Sequence, residues 1–95
     1  MGAPLRIACL HTVDSNIAVF EAAARGLDIV MSHHVRADLL SRAEAAGGLT
    51  ADIRDEAAAL LGSLAGDADA VLLTCSTVGP AAEQAAAGGA AVFRV

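Results

Sequence analysis

The sequence contains no lysine, tryptophan or tyrosine and only two phenylalanines. Its six basic residues are all arginines, and eleven acidic residues outnumber them to give a formal net charge of −5. A protein that binds nucleic acid needs a positive surface to meet phosphate, and often aromatic rings on which bases stack. An anionic membrane surface likewise attracts basic segments. The composition therefore argues against nucleic acid and against a membrane as partners.

Long apolar runs and cysteine-rich segments are also missing. No run reaches the roughly 18 apolar residues that a membrane-spanning helix needs, and the first residues lack the pattern of a signal peptide. The two cysteines, Cys9 and Cys75, are too few and too distant for the disulfide framework of a small secreted domain. We therefore expect a cytoplasmic protein with reduced thiols. Its 95 residues suffice for one domain, residues 1–95.

Short apolar segments alternate with amphipathic ones along the chain. Residues 5–10, 28–35, 69–74 and 90–95 are predicted to be buried strands. Helices are predicted between them, from apolar residues three or four positions apart at Ile17, Phe20, Ala24 and Leu27, at Leu39, Leu40 and Ala43, at Ile53, Ala57, Leu60, Leu61 and Leu64, and across 81–87. This alternation predicts an α/β fold with a four-stranded parallel sheet in flavodoxin-like order 2-1-3-4 and helices on both faces.

The ends of the helices carry capping signals. Asp14 or Ser15 is placed to cap the first helix, and Thr50 the third. Glycines follow the predicted helices, as is typical of helix ends. No helix follows the last predicted strand, although parallel strands are usually covered on both faces. We therefore expect a fragment, a truncated form or a homo-oligomer, with an apolar patch around Val92 and Phe93.

Polar segments lie at the carboxyl ends of three of the strands, at 11–16, 33–36 and 75–80, where ligands bind in open parallel sheets. Cys75 is the strongest candidate for chemistry because it lies in a turn between a strand and a helix. Backbone N–H groups and the helix dipole favour a thiolate and a bound carboxylate in such a turn. Hydroxyls at Thr74, Ser76 and Thr77 could stabilise an enolate formed by proton abstraction. A buried structural cysteine is an equally good interpretation.

The remaining candidates are weaker. Cys9 lies inside a strand, and we predict that it is buried and inert. His11 and Thr12 either bind a ligand or make local hydrogen bonds, and the second interpretation is favoured. His33 and His34 are adjacent, so they face opposite sides of a strand. With no further ligands at a suitable spacing, we predict no metal site, and no motif for a phosphate or dinucleotide cofactor occurs.

The segment DADAVLLTCSTVGPAAE, residues 67–83, resembles the first cysteine motif of the aspartate/glutamate/hydantoin racemase superfamily. IACLHTVDSNIAVFEAA at 7–23, GGLT at 47–50 and AVFRV at 91–95 are similar to one branch of it, in the same order. The resemblance implies the N-terminal half of a two-domain enzyme that uses one cysteine from each domain, without pyridoxal phosphate or metal. It implies Cys75 as the catalytic thiol and Thr12, Ser76 and Thr77 as substrate-binding groups, with His11 as a further candidate.

The sequence departs from that family in having neither the second domain nor the second catalytic cysteine. We predict a cofactor-independent racemase or isomerase that acts on a small carboxylate or amino acid, truncated and weakly active alone. Relatives with one cysteine include decarboxylases. One alternative is a non-catalytic carboxylate-binding or assembly module. A less favoured one is a phosphocysteine carrier like those of sugar phosphotransferase systems, because Leu10 and His11 follow Cys9 where a glycine-rich loop is expected.

Overall fold

The strands and helices follow one another along the chain in the order predicted. A computed structural model describes residues 3–95 and gives the order β1 (Leu5–His11), α1 (Asn16–Ala24), β2 (Ile29–Val35), α2 (Ala37–Ala45), α3 (Ala51–Ala65), β3 (Ala70–Leu73), α4 (Pro80–Ala87) and β4 (Val92–Arg94). The four strands are parallel and lie in the order β2-β1-β3-β4. The predicted α/β fold with a sheet of order 2-1-3-4 is therefore confirmed.

Local sequence explains several helix ends. The hydroxyl of Thr50 accepts a hydrogen bond from the backbone N–H of Ile53 at 3.3 Å, so Thr50 caps α3 as predicted. Ser15 occupies the corresponding position in front of α1, but its side chain makes no capping hydrogen bond. Gly26 has φ +85, a left-handed conformation that favours glycine. Because the chain turns there, Leu27 lies beyond α1 and is 60% exposed instead of continuing its apolar face.

Helices α2, α3 and α4 cover one face of the sheet and enclose the core. Residues Ile53, Ala57 and Leu61 of α3 are buried, which confirms most of its predicted apolar face. They join a cluster that contains Ala8, Leu10, Val71, Leu73 and Val92 from the strands and Leu39, Ala43, Ala81 and Ala85 from the other two helices. Burying such apolar surface contributes roughly 25 cal/mol per Å². This layer fixes the positions of the strand ends.

Of the helices in the described chain, only α1 lies against the other face. Cys9 is paired with His33 of β2 and with Leu72 of β3, and residues paired in this way point to the same side. Phe93 belongs to this face and is 57% exposed, whereas Val92 is 5% exposed. The predicted apolar patch is therefore right for Phe93 and wrong for Val92, because alternate strand residues face opposite sides and Val92 packs under the helices.

Membrane-spanning elements were not predicted from the sequence. Within residues 3–95, none of the helices combines the length and the apolar character that crossing a bilayer requires.

Candidate functional site

Cys75 lies at the carboxyl edge of the sheet, two residues after the last paired residue of β3. That residue, Leu73, is paired with Leu10 of β1, and Thr12 lies two residues beyond Leu10. The N–H of Thr74 donates to the carbonyl of Leu10 at 3.1 Å and holds the two strand ends together. The loops that carry Cys75 and Thr12 therefore leave the sheet side by side.

The side chains around Cys75 differ in their access to solvent. Ser76 and Thr77 are exposed, and Thr12 is only 4% exposed. Cys75 itself is partly buried and packs against the core beneath α2, α3 and α4. A small solute can therefore reach the two hydroxyls after Cys75 more readily than the hydroxyl of Thr12.

The backbone of the Cys75 loop has unused hydrogen-bond donors. Within residues 3–95, the N–H groups of residues 75–78 have no backbone acceptor. The first turn of the loop closes only at Gly79, whose N–H donates to the carbonyl of Ser76 at 3.1 Å. Helix α4 begins with Pro80, directly after this run. Successive free N–H groups in front of a helix present partial positive charge, which suits a bound carboxylate.

His11 points away from this loop and into the protein. It is fully buried, and its ring centroid lies 5.8 Å from that of Phe20 on α1. Its Nδ1 is 2.7 Å from Thr74 Oγ1, and its Nε2 is 2.9 Å from Nδ1 of His33. Burial lowers the pKa of His11, and the neighbouring His33 and His34 lower it further. We therefore treat His11 as a neutral side chain whose two ring nitrogens both have partners in the protein.

The contacts of His11 belong to a longer hydrogen-bonded chain that ends on α1. Nε2 of His33 is 2.7 Å from Oε1 of Glu21. An ionised carboxylate only accepts hydrogen bonds, so His33 Nε2 carries a proton. One hydrogen on each ring is then enough to join the chain: His11 Nε2–H donates to His33 Nδ1, and the hydroxyl of Thr74 donates to His11 Nδ1. This assignment satisfies each group in the chain of Thr74, His11, His33 and Glu21.

Cys9 lies beside this chain. It is fully buried, as predicted. Burial raises the pKa of its thiol, and the negative charge of Glu21 raises that pKa further. Its Sγ and one nitrogen each of His11 and His33 all lie within 4.8 Å of one another. His34, the residue after His33, is paired with Leu10 and faces the other side of the sheet.

Of the remaining polar segment, 33–36, only Arg36 lies beyond β2, and it belongs to a group of ion pairs that link α2 to α3. Arg36 donates to Asp38 at 2.8 Å and to Glu56 at 2.7 Å, and Arg42 donates to Glu56 at 3.0 Å. The guanidinium groups of Arg42 and Arg36 lower the pKa of Glu56 to about 2. Arg36 is therefore engaged within the protein instead of being free to hold a ligand.

The chain matches no protein-family model, no curated protein and no solved structure.

The sequence suggested the Cys75 loop as the candidate site but did not suggest the hydrogen-bonded chain of Thr74, His11, His33 and Glu21. Cys9 and His11 are two positions apart on one strand, which is a signal that they share a face. The third member, His33, comes from another strand and is placed beside Cys9 only by the β1–β2 register. Nothing in the sequence marked Glu21 as part of this chain, because exposed acidic residues are common on helices.

Proposed function

We propose that this chain is a cofactor-independent protein of the racemase or isomerase type, in which Cys75 transfers the α-proton of a small carboxylate or amino acid. The observation that carries the proposal is the loop after β3. There, a cysteine begins a run of four backbone N–H groups without backbone acceptors, in front of α4. Such a loop offers a base for the proton and donors for a carboxylate. The resemblance of residues 67–83 to the racemase cysteine motif supports the same chemistry.

The carboxylate of the ligand is proposed to bind the free N–H groups of the loop and the hydroxyls of Ser76 and Thr77. Both side chains are exposed, so a ligand can reach them. Thr12, whose loop leaves the same edge of the sheet, is proposed as a further ligand-binding residue. The proposed part of His11 is indirect, because its ring is bonded to Thr74 and thereby holds the residue before Cys75.

In the proposed step, the Cys75 thiolate removes the proton from the α-carbon of the ligand. The electron pair of the broken C–H bond moves into the carboxylate and forms an enediolate, whose added charge the loop N–H groups stabilise. Return of the proton from the same thiol restores the original configuration. Inversion needs a second acid on the opposite face of the ligand. Cys9 does not fill that role, since it is fully buried on the other face of the sheet.

The second acid is proposed to come from a further domain or from another copy of this chain. Association of copies would also cover the open face of the sheet, where Phe93 is 57% exposed. Two positions further along the chain, Val95 is 69% exposed. A homo-oligomer is therefore part of the proposal, as is a cytoplasmic location, where a reducing environment keeps both free cysteines available as thiols.

The proposal is tested by following proton exchange directly. The purified chain is incubated in D2O with the L- and D-forms of aspartate and glutamate, and loss of the α-proton signal is followed by NMR. We expect exchange with retention of configuration. Cys75→Ser should lower the exchange rate by roughly 100-fold or more, as expected for loss of a general base. Ser63→Ala, which changes an exposed residue of α3, should leave the rate unchanged.

A second measurement separates catalysis from binding alone. A ligand that protects Cys75 from alkylation without exchanging its α-proton would favour the alternative, a non-catalytic carboxylate-binding module. Absence of both protection and exchange over the whole ligand panel would overturn the proposed function.

A further inference from the structure

We propose that Cys9, His11 and His33 form a binding site for a zinc-class transition-metal ion. The ligands are Sγ of Cys9, Nε2 of His11 and Nδ1 of His33. The site lies between the sheet and α1, on the face opposite the core that Cys75 contacts. Cys75 is not among its ligands, and the site shares with the proposed proton transfer only His11, which is bonded to Thr74.

The three donor atoms already lie close together. The sulfur of Cys9 and one ring nitrogen of each histidine all lie within 4.8 Å of one another, and Nε2 of His11 is 2.9 Å from Nδ1 of His33. Around a tetrahedral zinc ion with bonds of about 2.0–2.3 Å, ligand atoms are separated by about 3.3–3.7 Å. The nitrogens therefore need to separate by a few tenths of an ångström, and the sulfur needs to approach by about 1.5 Å at most. Side-chain rotation supplies movements of this size without a change in the backbone.

Both histidines also have the outer partner that metal ligands require. A metal-bound histidine almost always donates its second N–H to an oxygen, which fixes the ring and its tautomer. Nδ1 of His11 is 2.7 Å from Thr74 Oγ1, and Nε2 of His33 is 2.7 Å from Glu21 Oε1. Thr74 can accept from His11 because its own hydroxyl has a second acceptor, the carbonyl of Leu10, at 3.4 Å.

The kinds of ligand select the class of ion. Thiolate and imidazole suit zinc, cobalt and copper, whereas magnesium and calcium prefer oxygen ligands. A divalent ion with one thiolate leaves one net positive charge in the site, and the carboxylate of Glu21 lies beside His33 to offset it. Three protein ligands leave a fourth position for water. The side chain of His33 is 11% exposed, which places one ligand at the solvent boundary.

Binding of the ion exchanges protons in a defined way. In the free protein, one hydrogen lies between Nε2 of His11 and Nδ1 of His33, and Cys9 is a thiol. The ion displaces that hydrogen, His11 keeps a single proton on Nδ1, and the Thr74 hydroxyl turns to Leu10. Cys9 loses its proton and becomes a thiolate. One proton is therefore released for each ion bound, and no oxidation or reduction takes place.

The test uses cobalt(II) as a spectroscopic probe with the whole chain. We expect one equivalent of cobalt to produce a thiolate-to-cobalt charge-transfer band together with the visible bands of a tetrahedral site, and zinc to displace it. About one proton per ion should be released in weakly buffered solution. Cys9→Ser should abolish the charge-transfer band, and Cys75→Ser should retain it. His34→Gln is the matched control for His33→Gln, because His34 faces the other side of the sheet.

Glu21, the outer partner of His33, can be replaced without loss of folding because it is exposed. Glu21→Gln should weaken cobalt binding by about 10- to 100-fold, as is usual for loss of such a partner, without changing the circular dichroism spectrum. The absence of a charge-transfer band at stoichiometric cobalt would overturn the proposal. So would a band that persists in a folded Cys9→Ser variant, or equal affinities in His33→Gln and His34→Gln.

Discussion

The guanidinium group of Arg94 lies directly over Gly79 and joins the end of β4 to the start of α4. A β-carbon on Gly79 would lie 2.8 Å from Nε of Arg94 and closer still to two other atoms of the group. The same guanidinium donates to Glu83 at 2.8 Å. Gly79 has φ −49 and ψ −41, which any residue adopts. Glycine is therefore needed at this position for space and not for its backbone conformation.

Replacing Gly79 should therefore have an effect that depends on Arg94. We expect Gly79→Ala to lower the free energy of unfolding by about 0.5–1 kcal/mol, because the guanidinium must leave Glu83. In an Arg94→Ala background the same change should be neutral or stabilising, since alanine favours helical angles over glycine. Urea denaturation of the four proteins gives the coupling. Equal costs in both backgrounds would show that another contact causes the effect.

Ser15 and Thr50, which precede α1 and α3, should differ in their contribution to stability. Thr50→Ala removes the hydrogen bond to the N–H of Ile53 and should cost about 1 kcal/mol. Ser15→Ala is the matched control, because the side chain of Ser15 makes no such bond, and it should cost close to nothing. Thermal or urea unfolding measures both. A larger loss in Ser15→Ala than in Thr50→Ala would contradict the capping assignment.

The two cysteines should react with iodoacetamide at very different rates. Cys75 is partly exposed, whereas Cys9 is fully buried and has a thiol whose pKa burial raises. Near neutral pH we expect Cys75 to be alkylated first and Cys9 only after the chain unfolds. Mass spectrometry of the peptides identifies the modified residue at each time. Faster modification of Cys9 in the folded protein would disprove its burial and remove the support for Cys75 as the accessible thiol.

The ion pairs between α2 and α3 should make stability depend on acid pH. The folded protein holds the pKa of Glu56 at about 2, below its usual value of 4.5. A depressed carboxyl pKa contributes stability that is present above 4.5 and is lost as the pH falls towards 2. The difference in urea midpoint between the wild type and Glu56→Gln should therefore be constant above pH 5 and shrink below it. Glu44→Gln, a change at an exposed residue of α2 outside these ion pairs, should retain the wild-type pH dependence.

Much of the fold follows from local sequence because its signals are local. The apolar spacing of Ile53, Ala57 and Leu61 is a property of one helix, and it identified the buried face of α3 correctly. The strand order followed from the regular alternation of strands and helices. Val92 was assigned to the wrong environment because successive side chains of a strand point to opposite faces of the sheet. In a strand of three residues, an error of one position reverses the predicted face of every side chain.

For the candidate site, too, the sequence suggested what depends on neighbouring residues and missed what depends on strand pairing. Cys75 was proposed from the sequence because its neighbours in the sequence, at the end of a strand, are also its neighbours in space. The contact between His11 and His33 was not found, since the two residues are 22 positions apart and meet only through the pairing of β1 with β2. Glu21 reaches His33 only because α1 is rotated about its axis so that this residue faces β2. No pattern in the sequence predicts that rotation.

The central position of β1 has a consequence for folding during synthesis. Its partner β2 follows soon in the sequence, but the bond from the N–H of Arg6 to Asp69 joins residues 63 positions apart. At 5–20 residues per second, roughly 3–13 s pass between their synthesis. Ala8 and Leu10, which end up in the core, remain without their β3 neighbours Val71 and Leu73 for that interval. A nascent chain of this topology therefore presents apolar strand surface to chaperones before β3 joins the sheet, and its slow step is this distant pairing.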